Sequence, residues 1–366
     1  KNVIAVGASH SSGRDLSSGQ LGESYIADFS SRGPTSDGRT KPDILAPGSS
    51  ILSAGGKPAT VGECDPVTYP KPGKADEGVV SKEGTSMAAP VVSGTAALIR
   101  QYFVDGFYPT GKKNASNSFD PSGMLVKAVI LNGGQYMRGV DNGNGRVLPV
   151  SPYDNNQNFG RISLIDSLYL YGKSNVQTRV FDRETIAQKG KKTMSFTVDK
   201  SNGCDASELT ATLTWFDQAG FPGCQKCLID DLDLYITKGN TTYYPNGLNK
   251  RDTLHSTERV RISSSDGETV SVTVEATNIV VWTRQYALVV SGCFGGVANE
   301  LDTSKNTFLN DDSYNDSTSK KLAWTIAGVV GALAVAIISF FAKQYWKRTQ
   351  LNSQEKEQVD DTPLLL

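Results

Sequence analysis

Gly84-Thr85-Ser86-Met87-Ala88-Ala89-Pro90 places a serine where a tight turn enters a helix. A serine hydroxyl is protonated at neutral pH and attacks weakly unless something activates it. At the head of a helix the backbone N–H groups and the helix dipole favour developing negative charge, so an oxyanion formed there is stabilised. Gly84 permits the turn before Ser86. Pro90 is expected in the first turn, where a missing N–H costs least. The helix is predicted over Met87–Phe103, and the small residues Ala88, Ala89, Ser93, Gly94 and Ala96 let it sit deep against its neighbours. A buried helix with a serine cap is the plain alternative, and the complete heptapeptide argues against it.

Working outward, Asn2-Val3-Ile4-Ala5-Val6-Gly7-Ala8 reads as a buried strand ending at a glycine turn. Phe29-Ser30-Ser31-Arg32-Gly33-Pro34 and Lys41-Pro42-Asp43-Ile44-Leu45-Ala46-Pro47-Gly48 follow it. Leu125–Gly133 reads as a later helix, and Asn158-Phe159-Gly160-Arg161-Ile162 as a closing turn. These blocks, in this order, resemble the subtilisin-like serine proteases (subtilases). The resemblance implies that Ser86 is the catalytic nucleophile, supported by Gly84, Thr85 and Pro90, and that the substrates are proteins or peptides. It also implies a parallel α/β sheet, of which residues 1–172 would supply the C-terminal part.

In subtilases the catalytic Asp, the catalytic His and an oxyanion Asn precede the stretch that Asn2–Ala8 resembles, and no such motif occurs here. The two histidines, His10 and His255, stand outside any catalytic motif and read as structural or surface residues. Ser-His-Asp chemistry needs an imidazole to take the hydroxyl proton and a carboxylate to orient it. The chain therefore reads as the C-terminal part of a longer protein, inactive and unstable in isolation, with the base supplied from upstream. No metal is expected in the chemistry.

The 37 basic and 38 acidic residues nearly cancel, and without a basic stripe nucleic acid is excluded as a partner. Five cysteines (Cys64, Cys204, Cys224, Cys227 and Cys293) fit an oxidising compartment. Cys224-Gln225-Lys226-Cys227 lacks the further ligands zinc needs. It is read as a local disulfide or as bridging to Cys204 or Cys293. Glycosylation sequons begin at Asn114, Asn240 and Asn315, all ahead of a long apolar run, which points to a lumenal or extracellular ectodomain.

That run, Leu322 to Ala342, carries no charge and would span about 31 Å as a helix, the thickness of a bilayer core. The expected topology is a single-pass type I membrane protein with residues 343–366 as its cytosolic tail. The tail ends Asp360-Asp361-Thr362-Pro363-Leu364-Leu365-Leu366. Asp360 four positions ahead of the Leu364–Leu365 pair resembles an acidic dileucine sorting signal, which implies a clathrin-adaptor partner. The secretory pathway, endosome or lysosome, or cell surface are the matching locations.

Over residues 173–293 the pattern changes to short alternating runs: Thr193–Val198, Leu209–Phe216, Leu232–Ile236, Val260–Ile262, Val270–Ala276 and Tyr286–Val290. Turn residues separate them, as in an antiparallel β sandwich. The blocks Leu228–Leu234 and Tyr286–Gly292 resemble the β jelly-roll that follows some subtilase domains, like the P domain of kexin-like convertases. Alternation puts Asp231 and Asp233 on one face of a strand, where two carboxylates could hold a structural calcium ion; a solvated acidic edge is the competing reading. Residues 294–321 read as a polar stalk. The sequence thus points to a membrane-anchored serine endopeptidase acylated at Ser86. A catalytically dead receptor or adhesion protein with the same fold is the alternative.

Overall fold

The computed structural model describes residues 1–11, 21–54, 79–144, 146–201, 203–280 and 282–294. The expected membrane span over 322–342, the tail with Asp360, Leu364 and Leu365, the sequon at Asn315, Cys64 and all but the first residue of the stalk lie outside the described residues. Among the described residues, no helix is long and apolar enough to cross a membrane.

The apolar run near the N-terminus forms β1 (Val6–Ser9), which pairs in parallel with β3 (Ile44–Pro47) in register Val6 to Ile44. Ala8, Ile44, Leu45 and Ala46 are fully buried, as strands covered on both faces require. β2 (Tyr25–Ile26) runs antiparallel to β1 and parallel to β6 (Gly139–Asp141), and β7 (Val147–Leu148) closes the sheet antiparallel to β6. The order is β3-β1-β2-β6-β7. The expected parallel sheet is thus present in the β1–β3 and β2–β6 pairs, while the antiparallel pairs β1–β2 and β6–β7 make the sheet mixed. A separate hairpin joins β4 (Ile51–Ala54) and β5 (Val79–Lys82).

Two helices follow, the first packed on β1 and β3 and the second against the first. α1 is Thr85–Val104 and α2 is Gly123–Asn132. Ser122 caps α2: its Oγ accepts from the Leu125 N–H at 3.1 Å, satisfying one of the donors a helix start leaves open.

The C-terminal half is a β sandwich. One sheet has the order β13-β10-β15-β8 and the other β12-β11-β14-β9, antiparallel throughout. The strands are β8 (Gln177–Ala187), β9 (Lys191–Thr197), β10 (Glu208–Thr214), β11 (Asp231–Lys238), β12 (Thr241–Tyr243), β13 (Thr257–Ser263), β14 (Thr269–Asn278) and β15 (Thr283–Gly292). Inward residues such as Leu232, Leu234, Ile236, Val270, Val272 and Val274 are fully buried, each worth about 1.5–3 kcal/mol. Cys204 bridges to Cys293, and Cys224 closes locally on Cys227.

Residues Lys1–Asn306 form one compact unit. α2 lies against β10 and β15. At its end the Asn132 amide donates to Ser291 Oγ at 2.7 Å and its carbonyl accepts from Thr212 Oγ1 at 2.9 Å. Thr214 Oγ1 donates to the Met124 carbonyl at 2.7 Å. Along β15 the side chains divide: Tyr286, Leu288 and Val290 enter the sandwich core, while Ala287 and Val289 enter the core around the helices. One strand thus serves two cores.

Candidate active site

Gly84 takes φ 144° and ψ 161°, a conformation side-chain-bearing residues rarely adopt. Its N–H donates to the Gly48 carbonyl at 2.7 Å, and its own carbonyl accepts from the Met87 N–H at 3.0 Å. The turn into α1 is therefore tied to the loop that follows β3. Ser86 is the second residue of the helix and is exposed. Pro90 is the sixth helical residue, which corrects the expectation that it lies in the first turn. Lacking an N–H, it cannot donate to the Ser86 carbonyl four residues back.

The burial of α1 also differs from expectation. Ala88, Val92, Ile99, Tyr102 and Phe103 are buried, but Ala89, Ser93 and Gly94 are exposed and Ala96 only half-buried. Val91, Leu98 and Val104 are 37%, 51% and 41% exposed. The helix is covered along one face, and its small residues lie largely on the open one.

Among the described residues no group hydrogen-bonds the Ser86 hydroxyl, and both imidazoles are engaged elsewhere. His10 Nε2 lies 3.1 Å from Asp141 Oδ2. His255 Nε2 accepts the Thr40 N–H at 2.9 Å, which makes Nδ1 the protonated nitrogen; Nδ1 donates to Asp252 Oδ2 at 2.7 Å. Thr40 precedes β3 and His255 precedes β13, so this histidine fastens the two halves of the unit together.

The subtilase family (Peptidase S8) matches residues 1–145. Residues 1–145 are a subtilase domain. The chain is 33% identical over 280 residues to the serine protease/ABC transporter B family protein tagA of Dictyostelium discoideum, covering 72% of this chain and 15% of that protein. It is 28% identical over 314 residues to tagB of the same organism, covering 74% of this chain and 16% of tagB. Serine protease AprX of Bacillus subtilis is 38% identical over 101 residues, covering 28% of this chain and 21% of AprX. The chain therefore spans about 15% of the length of tagA.

Outside the subtilase domain, Asp231 and Asp233 both face away from the sandwich interior, as alternation predicts, and both are buried. Asp233 Oδ2 is held by Thr277 Oγ1 and Arg251, while the Oδ1 atoms of both aspartates have no hydrogen-bond partner. Burial, then the charge of Asp233, raises the Asp231 carboxyl to about 6. Glu258 of β13 is fully buried, accepts the Leu234 N–H at 2.6 Å and is pushed well above the usual carboxylate range by burial and by Asp252, Asp233 and Asp231. Among the described residues, no group of three or more His, Cys, Asp or Glu side chains is arranged to hold a metal ion. Asn114 and Asn240 are exposed on turns, open to modification.

Sequence reading missed Gly48, Arg259 and the Asp252–His255 pair. Gly48 and Arg259 meet partners distant in sequence; Asp252 and His255 stand three residues apart, but their tie to Thr40 crosses 215 residues. The Pro47-Gly48 step after an apolar strand was the one available signal for Gly48.

Proposed function

We propose that this chain is the nucleophile-bearing part of a membrane-anchored serine endopeptidase. The observation that carries the reading is the exposed Ser86 at the head of α1 within a subtilase domain. Ser86 Oγ attacks the scissile carbonyl carbon as its proton passes to an imidazole. The C–N bond then breaks, with that proton going to the leaving amine, and water hydrolyses the acyl-enzyme. The imidazole, its carboxylate and an oxyanion donor come from residues outside this chain, because His10 and His255 are both engaged elsewhere. The chain alone is inactive. The open apolar face of α1, with Leu98 half exposed, supports cover by those same outside residues.

The sandwich, read as a jelly-roll, braces the subtilase domain. Residues 322–342 anchor the protein as a type I span, with Asn114, Asn240 and Asn315 glycosylated on the lumenal side. The Asp360–Leu365 signal engages an adaptor in the cytosol. Relatives named as serine protease/ABC transporter proteins support a protease tied to a membrane. A calcium ion at Asp231 and Asp233 would offset the repulsion between the carboxylates, and their unpartnered Oδ1 atoms support it.

Native membranes treated with a fluorophosphonate probe test the catalytic reading. The expected result is a labelled peptide containing Ser86, lost in Ser86→Ala. An intact mature protein that stays unlabelled would favour the catalytically dead receptor.

A further inference from the structure

Arg259 of β13 is fully buried, yet no carboxylate lies within ion-pair reach of it among the described residues. Its Nη1 donates to the carbonyls of Leu131, Gly134 and Phe159 at 2.8, 3.2 and 3.1 Å, and its Nε donates to the Tyr153 hydroxyl at 3.2 Å. The rings of Tyr136, Tyr153 and Phe159 stack around it at 5.0–5.2 Å. These contacts hold the cation but leave its charge uncompensated.

Arg261, two residues along the same face of β13, repeats the pattern nearer the surface. Its Nη2 donates to the Gly134 carbonyl at 3.0 Å, and it lies 5.0 Å from the Tyr136 ring. Its sole carboxylate contact among the described residues is Glu208, at 3.7 Å and 53% exposed on the side chain. That is a loose, water-screened pairing worth little. Two guanidinium groups therefore stand against one carboxylate that is largely solvated.

These groups border an open cleft of about 350 Å³ lined also by Tyr136, Tyr153, Tyr243 and Tyr244. The size falls in the range of ligand-binding pockets. Around it stand the Arg261 guanidinium and four tyrosines, beside the Glu208 carboxylate and the polar side chains of Thr242 and Asn249; the Tyr153 hydroxyl already donates to the Arg259 carbonyl at 3.3 Å. Burial pushes the Tyr136 hydroxyl up to about 12, so it remains a donor. Both bordering strands, β12 and β13, are outermost in their sheets, the place where an extended chain can lie alongside.

We propose that this tyrosine–arginine cleft binds an extended acidic peptide, one of whose carboxylates takes the place of Glu208 on Arg261. Arg259 supplies positive potential from behind, and the tyrosines supply hydrogen bonds and apolar ring surface. The site does not depend on cleavage at Ser86, so it stands or falls separately from the protease reading.

The test titrates fluorescein-labelled hexaglutamate, by fluorescence anisotropy, against the detergent-solubilised parent protein carrying Ser86→Ala to exclude turnover. Hexaglutamine, hexalysine and free glutamate serve as comparison probes. Hexaglutamate is expected to bind, more weakly at high salt, and about tenfold more weakly in Arg261→Gln, the loss of one charge-assisted contact. Glu208→Gln, a change at an exposed side chain that leaves the fold intact, is expected to tighten binding several-fold by removing the internal competitor. Equal binding of hexaglutamine or hexalysine would overturn the proposal, as would weaker binding in Glu208→Gln. Displacement of the labelled probe by free glutamate at matched concentration would mark a small-anion site and overturn the peptide assignment.

Discussion

Gly48 and Gly84 meet backbone to backbone: the Gly84 amide donates to the Gly48 carbonyl at 2.7 Å, and a Cβ on Gly48 would lie 2.8 Å from the Gly84 carbonyl oxygen. Such an approach is closer than real Cβ atoms make, and the same Cβ would lie 2.8 Å from the Ala8 Cβ. Gly48→Ala must therefore push the turn before Ser86 away from β3. The expected cost is about 1–3 kcal/mol of stability, with fluorophosphonate labelling of Ser86 falling further than the folded fraction in the parent protein. Labelling that falls only in step with folding would show that the contact is purely structural.

Lys127 on α2 sits with 5% of its surface exposed, and among the described residues its Nζ reaches only the carbonyls of Lys1 and Val3, both at 3.4 Å. Burial lowers its amine to about 8; Asp43 works against that shift, and Lys41 and Arg39 add to it. The folded state therefore sheds a proton that the unfolded chain keeps up to about 10.5, so stability rises as pH climbs from about 8 to 10.5. At pH 7 the charged form carries a penalty of about 3 kcal/mol. Lys127→Met should stabilise the protein at pH 7, and urea denaturation at pH 9.5 should find that advantage reduced.

Asp231 carries a penalty of the opposite pH sense. Its raised carboxyl holds a proton in the fold that the unfolded chain loses above about 4, so its contribution is full at low pH and lost as pH rises through about 6. Asp231→Asn should raise Tm at pH 7 by about 2–6 °C, with no gain below pH 4. Added calcium should raise the Tm of the native protein and leave that of Asp231→Asn unchanged, as read by differential scanning fluorimetry with and without EGTA.

The Cys204–Cys293 bridge closes a span of 89 residues, and the chain-entropy view gives such a loop roughly 4–5 kcal/mol. Cys204→Ser with Cys293→Ser should lose most of that. Opening the Cys224–Cys227 bridge, which spans three residues, should cost far less. Guanidinium unfolding of the two double variants compares them directly.

Much of this architecture is legible in the sequence because apolar residues fall at the period of their element. The runs containing Leu232, Val270 and Tyr286 lie within β11, β14 and β15, the run Leu209–Phe216 covers most of β10 and overruns its end by two residues, and the Gly84–Pro90 block opens α1. β8 is hard to read because Arg179, Asp182, Arg183 and Glu184 interrupt its apolar positions; all four keep some exposure, which lowers the cost of polar groups there. β12 is three residues long and has no pattern to read. The exposed face of α1 was illegible for another reason: small residues signal close packing without saying whether the packing partner is part of the chain. The place of Arg259 is not legible in the sequence, since only the folded arrangement brings the Leu131, Gly134 and Phe159 carbonyls around it.

β15 has a consequence for how such proteins can change over generations. Because its alternate side chains are shared between two interiors, a recombination joint anywhere between the helices and that strand would leave both halves with mismatched filling. The subtilase domain and the sandwich must then be inherited as a unit, and new modules would be joined successfully beyond the ends of that unit.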